Sequence, residues 1–358
     1  MTTIQTISTF QTNLSGRKNI SRLGGLMQKL GNELSTGLRS DVYADLGMRS
    51  AQSLDMRNRL DRTEAYKLSN TILAGKMDMT TEALRGMREA AQSFLNISAA
   101  NMDAPSQTVA VLQDQARATL DLVIRAMNTS YGGEHLFSGL ATDRAPMQAL
   151  DTVNPATGLS PQDVVQGIAG TGPVDAADAL ARIAALQAVF SSAAVDPAQD
   201  FDATFYNGTP RLAPDSSPMG RVVVRLDDSQ TLNVGIQAND PGFTDLLKGL
   251  MMIATVNPQD IPDAGAYAEW MGHAVTAISD GIGAIDAAQV GLGNQQALVD
   301  KTLKRQQVQM DLYNNGIAGI EAADPYDTAA RLTALRTQLE ATYSVTAQLS
   351  KLSFLNYM

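Results

Sequence analysis

Residues 271–320 read MGHAVTAISDGIGAIDAAQVGLGNQQALVDKTLKRQQVQMDLYNNGIAGI, and the spacing of their apolar side chains decides the fold. Met271, Val275, Ile278, Ile282, Ile285, Leu292, Val299, Leu303, Met310, Tyr313, Ile317 and Ile320 fall on one seam of alternating four- and three-residue steps. Gln289, Gln296 and Gln306 fill the three places left over. Such steps hold side chains on one narrow face of a helix. A 3.5-residue period sustained through about seven heptads requires a partner helix along its length. At about 1.5 Å per residue the segment is roughly 75 Å long, which predicts a rod. The glutamines either face solvent or set the register of the pairing at some cost in stability.

Working outward, Asp324-Pro325 ends this helix, because the residue before proline avoids the α region. A final helix follows with Leu332, Leu335, Leu339, Tyr343, Val345, Leu349 and Leu352. The other end of the chain has the same style. Ile7, Phe10 and Leu14, then Ile20, Leu23, Met27, Leu30 and Leu34, step by three and four up to a stop at Ser35-Thr36-Gly37. A second helix is expected over about 48–100, with a stripe of Ala65, Leu68, Ile72, Gly75, Met79, Ala83, Gly86, Ala90, Phe94 and Ile97. A third starts at Pro105, carries Val109, Leu112, Ala116, Leu120, Val123 and Met127, and ends at Gly132-Gly133. The middle differs. It is rich in Pro, Gly, Asp and Thr, with a short helix over 175–190 and two β-rich runs, 221–226 and 231–236, joined by Asp227-Asp228-Ser229-Gln230 as a hairpin.

The expected fold is mainly α: a long antiparallel coiled-coil-like rod built from both chain ends, with an inserted small mixed α/β or β-rich domain. Terminal assembly helices occupy 1–40 and 325–358, the rod 41–146 and 242–324, and the inserted variable domain 147–241. Short amphipathic helices with few aromatic anchors are marginal alone. Both terminal segments are therefore expected to be poorly ordered in the monomer and to gain order by packing on other copies.

Composition removes most chemistry. The chain has 358 residues, no cysteine, two histidines and a net charge of −10. An acidic chain with no basic block is unsuited to a phosphate backbone, so no nucleic-acid partner is expected. The start lacks a charged and apolar signal peptide, and Lys248 interrupts the strongest apolar run, so no membrane insertion is expected. No phosphate-loop motif is present. Gly281-Ile282-Gly283 and Gly291-Leu292-Gly293 lie inside the helical seam with no preceding strand. His135 is expected in a loop and His273 on a helix surface. Asp227-Asp228 suits a turn, since adjacent strand residues point to opposite faces. Asn207-Gly208-Thr209 matches a glycosylation acceptor but is first a turn signal. No catalytic residue, cofactor or metal site is expected.

Several segments, in order along the chain, resemble the bacterial flagellin superfamily. Leu34-Ser35-Thr36-Gly37-Leu38-Arg39 is similar to the family's L-S-T-G-x-R. Gly133-Glu134-His135-Leu136-Phe137-Ser138-Gly139, with Thr142 and Pro146, resembles the G-x-Y-x-F-x-G…T…P segment of the hook–filament junction branch. Leu292-Gly293 with Gln296, Ile320-Glu321-Ala322-Ala323-Asp324, the run from Arg331 to Ala341 and Ser353-Phe354-Leu355-Asn356-Tyr357 resemble the family's C-terminal signatures. The resemblance covers about 1–146 and 242–358. Departures are local: Asp41-Val42-Tyr43-Ala44-Asp45 stands where the family often has an acidic run, His135 replaces an aromatic, and Ala322 replaces an acid.

The resemblance implies a structural protein exported unfolded by the flagellar type III apparatus without a cleaved signal, and so an extracellular place in the flagellum. It implies an adapter at the hook–filament junction; the alternative is a filament-forming flagellin. An enzyme with its site in 147–241 is a third reading. The implied partners are other copies in a ring or tube, another hook-associated protein, flagellin and a type III export chaperone. The expected assembly interface comprises Ile7, Phe10, Leu14, Ile20, Leu23, Met27, Leu30, Leu34, Leu332, Leu335, Leu339, Tyr343, Leu349, Leu352 and Leu355.

Overall fold

The computed structural model describes residues 9–103, 109–213 and 217–355; the side chains of residues 9, 10, 12, 13, 45, 46 and 349–355 also lie outside the description. The described residues are mainly helical. The helices are α1 (Thr9–Thr36), α2 (Val42–Leu46), α3 (Arg49–Ala99), α4 (Val109–Met127), α5 (Pro161–Ala169), α6 (Ala176–Phe190), α7 (Pro241–Thr255), α8 (Ala264–Glu321) and α9 (Pro325–Leu355). Two small antiparallel sheets lie between them: β1 (Ser130–Tyr131) with β2 (Glu134–His135), and β3 (Val222–Arg225) with β4 (Thr231–Val234). The chain groups into two compact units, a terminal unit of residues 1–65 and 305–358 and a central unit of residues 66–304.

In the terminal unit α1 packs along α9. Among the buried and half-buried positions, one row on α1 runs Gly16, Ile20, Leu23, Met27 and Leu30, and one on α9 runs Thr328, Leu332, Leu335, Leu339, Thr342 and Thr346. Both rows step by four and three, the spacing that lets two helices mesh along a seam. Gly16 permits a close approach, since a methyl group there would lie 3.2 Å from Thr346 Oγ1. Yet among the described residues of this unit only Leu23 and Ile317 are fully buried apolar side chains. Glu33, Ser53, Gln306, Glu321 and Thr328 are buried polar ones.

The central unit has a continuous apolar core. Its axis is α7, apolar nearly all round, as a helix enclosed on every side must be. α7 meets α8 through small residues. A methyl group on Gly242 would collide with Ala284, one on Gly281 with Leu246, and one on Gly249 would lie 2.6 Å from Ala274 O and 2.7 Å from Ile278 Cγ1. The order of these pairs makes the two helices antiparallel. Trp270 of α8 is fully buried and donates its indole N–H to Met252 O of α7 at 3.3 Å. Gln113 and Arg117 of α4 donate to the terminal carbonyls of α7 at Ala254 and Thr255, which satisfies groups a helix end leaves open.

α3 and α8 are also antiparallel here. Gln296 Nε2 donates to Asp78 Oδ1 at 2.9 Å, and Arg88 Nε to Asp286 Oδ1 at 2.5 Å, so ten residues up one helix match ten down the other. Gln296 is half-buried and bonds across the pairing at its solvent-exposed edge. Gln289 is half-buried. The β3–β4 hairpin is tied to both helices, by Asn70 Nδ2 donating to Leu226 O at 2.9 Å and Gln295 Nε2 donating to Asn233 O at 3.1 Å. The junction-like segment after β2 is structural: Phe137 packs edge-on against Phe243 with centroids 6.4 Å apart, and Gly139 turns the chain at φ +69°.

Several expectations change. The expected α3 row is buried only in part: Ala83 and Phe94 are buried as expected, Leu68, Ile72 and Met79 are exposed, and Leu73, Met77, Leu84, Met87 and Ala91 of a neighbouring row are buried instead. α3 carries two apolar rows, and spacing alone does not say which faces the core. α4 ends at Met127, and Gly132-Gly133 makes the β1–β2 turn, with φ +61° and +86°. The proposed start of α4 at Pro105 lies outside the described residues. α5 and α7 escaped the periodicity reading, α7 because its apolar residues cover every face. Asn207-Gly208-Thr209 folds inward: Asn207 Nδ2 donates to Gln148 Oε1 at 3.0 Å, and Thr209 is buried. His135 is half-buried in β2 with Nδ1 at 3.0 Å from Asn128 O, and His273 is on the exposed face of α8 beside Glu269.

Candidate functional site: the terminal joint

Two sequence motifs far apart in the chain meet in the terminal unit. Thr36 Oγ1 donates to Asn32 O at 2.8 Å as α1 ends. Gly37 takes the left-handed conformation at φ +72° and donates its N–H to Glu33 O at 2.8 Å, the αL cap that glycine allows without a Cβ penalty. Leu38 and Ala322 then form an antiparallel bridge. The Arg39 N–H donates to Glu321 O and the Ala323 N–H to Gly37 O, each at 2.9 Å. The segment 36–40 and the segment 321–324 are thus one small sheet-like joint. Ala322 takes part through its backbone, so the loss of the family's acid leaves the bridge in place.

The Glu33, Ser40 and Glu321 side chains around the joint are polar and paired, whereas Arg39 Nε is buried without a hydrogen-bond partner. The Glu33 carboxylate is buried and accepts the Ser40 N–H at 3.0 Å, and Ser40 Oγ donates to Lys29 O at 2.9 Å. Glu321 is 3% exposed; it accepts Arg57 Nε at 3.0 Å, Arg57 Nη2 at 2.5 Å and the Ser53 hydroxyl. A carboxylate at the end of α8 opposes the helix dipole, so it needs this partner. The Arg57 hydrogen bonds hold the Glu321 carboxyl below the ordinary carboxylate range, against the opposing pull of burial. Asp324 Oδ1 accepts the Tyr326 N–H at 2.9 Å and Pro325 takes the first helical position, so the sequence that stops α8 also starts α9.

The interface residues expected from sequence divide into three groups. Ile20, Leu23, Met27, Leu30, Leu332, Leu335 and Leu339 lie on the rows along which α1 and α9 pack. Leu14, Leu34 and Tyr343 are exposed. Ile7 lies outside the described residues, and Phe10, Leu349, Leu352 and Leu355 are described only as helical. Beside the joint a cleft of about 590 Å³ opens between α1 and α9, with Leu26, Leu30, Arg39, Asp324, Arg331 and Leu335 among its walls. The contributions of Ser53 and Arg57 were not read from the sequence. A buried acid at a helix C-terminus implies a cation nearby, and that signal could have found Arg57. Among the described residues no cluster of His, Asp and Glu could hold a metal ion, and no helix is long and apolar enough to cross a membrane.

Comparison with known proteins finds one family at both ends of the chain. Residues 7–142 match the bacterial flagellin N-terminal helical region, and residues 275–358 match the C-terminal helical region. No curated protein matches the chain. Among solved structures, one described provisionally as a flagellar hook-associated protein from Vibrio parahaemolyticus aligns at TM-score 0.51 and 14% identity. That alignment covers 77% of this chain and 99% of the other, and it shows likeness of fold alone.

Proposed function

Because the chain belongs to the bacterial flagellin family, a family of structural proteins of the extracellular flagellum, we propose that it acts as the adapter at the hook–filament junction. In this reading its terminal helices pack against those of other copies in a ring or tube. Its neighbours are another hook-associated protein on one side and flagellin on the other, and an export chaperone holds it before passage through the type III apparatus without signal cleavage.

One observation carries the assembly role. The terminal unit buries two apolar side chains among its described residues, yet leaves Leu14, Leu34, Leu38, Tyr43, Met48 and Tyr326 exposed, among others. A helical unit gains most of its stability from burying an apolar face. Other copies would supply the missing face. The junction role itself rests on the likeness of Gly133–Gly139 and the closing Asn356-Tyr357 to that branch. Under this proposal 1–40 and 325–358 serve assembly, 41–146 and 242–324 form the supporting helices, and 147–241 is the variable insertion.

Electron microscopy of cells lacking the gene tests the reading. Hooks without filaments and flagellin lost to the medium are expected. Filaments missing while this chain is the bulk subunit of wild-type filaments would establish the alternative, a filament-forming flagellin. That alternative is favoured by the family match itself, which spans both flagellin helical regions.

A further inference from the structure

Within the central unit a pocket of about 130 Å³ opens where α3, the 134–142 segment, the β3–β4 hairpin and α8 converge. Its walls are mainly apolar, with Leu73 and Met77 from α3, Val234 and Ile236 from the hairpin side and Leu292 from α8. His135 also lines it and is fixed from two sides. The His135 backbone N–H donates to Thr142 O at 2.9 Å, and its ring donates from Nδ1 to Asn128 O at 3.0 Å. That tautomer leaves Nε2 as a hydrogen-bond acceptor. Neighbouring polar groups of the wall are engaged with one another: Thr80 Oγ1 donates to Lys76 O at 2.8 Å, and Gln295 Nε2 to Asn233 O at 3.1 Å. Lys76 is paired with Glu134, and both are partly exposed, where the pocket meets solvent.

We propose that this pocket binds a small aromatic molecule carrying one hydrogen-bond donor, of which phenol is the simplest, with His135 Nε2 accepting that hydrogen bond. Size sets the limit. An apolar cavity of roughly 150 Å³ holds benzene, so one ring fits here and a nucleotide or a peptide helix does not. Two wall residues select a ring over an alkyl chain. The Met77 thioether makes favourable contacts with aromatic edges, and the Lys76 ammonium is attracted to an aromatic face. An imidazole already locked by two hydrogen bonds loses no further freedom when it accepts a third. A few fixed polar groups in an apolar concavity are the usual form of a small-molecule site. The site lies wholly in the central unit and does not depend on the assembly role. A ring bound there touches α3, α8 and the hairpin at once and ties them together.

The test uses the full chain and ligand-observed NMR titration with three probes: phenol, anisole, which lacks the donor, and cyclohexanol, which lacks the aromatic ring. Phenol is expected to bind at least fivefold tighter than either, the worth of about one hydrogen bond or one ring contact. Saturating phenol should slow hydrogen exchange at the β3–β4 amides. His135→Phe should bring phenol down to the level of anisole and leave anisole unchanged. Val234→Phe, which fills the pocket from the hairpin, should abolish binding of all three while Trp270 emission reports an intact core; it decides the matter if His135→Phe does not fold. Absence of phenol binding to the unaltered chain, equal binding of phenol and anisole or of phenol and cyclohexanol, or undiminished phenol binding to folded Val234→Phe would overturn the proposal.

Discussion

Removing the Glu321 carboxylate should open the terminal joint without unfolding the central unit. In Glu321→Ala the Arg57 guanidinium and the Ser53 hydroxyl both lose their acceptor. Breaking a fully buried pair costs about 3–5 kcal/mol, chiefly through the charge left stranded. Arg57 is 50% exposed and can turn to water, so most of that penalty does not apply. Ser53 is 2% exposed and cannot turn away as easily, which leaves an unsatisfied hydroxyl worth about 1 kcal/mol. With the lost charge-assisted bonds the sum is about 2 kcal/mol. The assay is native-state hydrogen exchange at the Arg39 and Ala323 amides, which donate to Glu321 O and Gly37 O across the joint. A local loss of about 2 kcal/mol accelerates their exchange roughly thirtyfold. Amides of α7 should not change. Exchange at Arg39 and Ala323 equal to that of the unaltered chain would refute the assignment of Glu321 as the residue that holds the joint.

Four further outcomes follow. The folded state holds the Glu321 proton affinity below its ordinary value, so its stabilisation is present above about pH 4.5 and fades as pH falls through the lowered range; acid titration of the joint amides should show this, and Glu321→Gln should flatten it. Trp270 is the sole tryptophan and lies between α7 and α8, so its fluorescence reports the central unit alone; in urea, helical circular dichroism should fall in an early step, before Trp270 emission shifts. Gly249→Ala should destabilise by about 1–3 kcal/mol through collision with Ala274 O and Ile278. Gly272→Ala, with open space around the same kind of helical site, should stabilise by about 0.5–1 kcal/mol; thermal melts distinguish the two.

The sequence revealed the fold wherever burial is one-sided. α8 has a continuous apolar seam whose 3.5 period identifies the helix and its need for a partner, although Ala266, Trp270, Ala274 and Ala277 form a second buried row near its start. The Asp324-Pro325 break and the Gly37 stop were legible because proline and positive-φ glycine act through local backbone geometry. α7 was not, since a helix apolar on all faces has no period to read. On α3 both rows satisfy the same spacing, and only the core decides which one it buries. At the joint the sequence displayed both halves, Ser35-Thr36-Gly37-Leu38-Arg39 and Ile320-Glu321-Ala322-Ala323-Asp324. Their meeting depends on backbone hydrogen bonds that no side-chain pattern encodes.

The joint also sets an order of events in time. Gly37 bonds to Ala323, and α1 packs along α9, so the earliest helix of the described chain finds its partner only after α8 has been made. Closing so long a loop is entropically expensive, and it becomes affordable once the intervening central unit has folded. Until then α1 is a solitary amphipathic helix, too weak to hold itself together. A molecule stalled before residue 325 would therefore keep α1 open to proteases and to bound helpers. Synthesis of α9 and the docking of α1 are a single event.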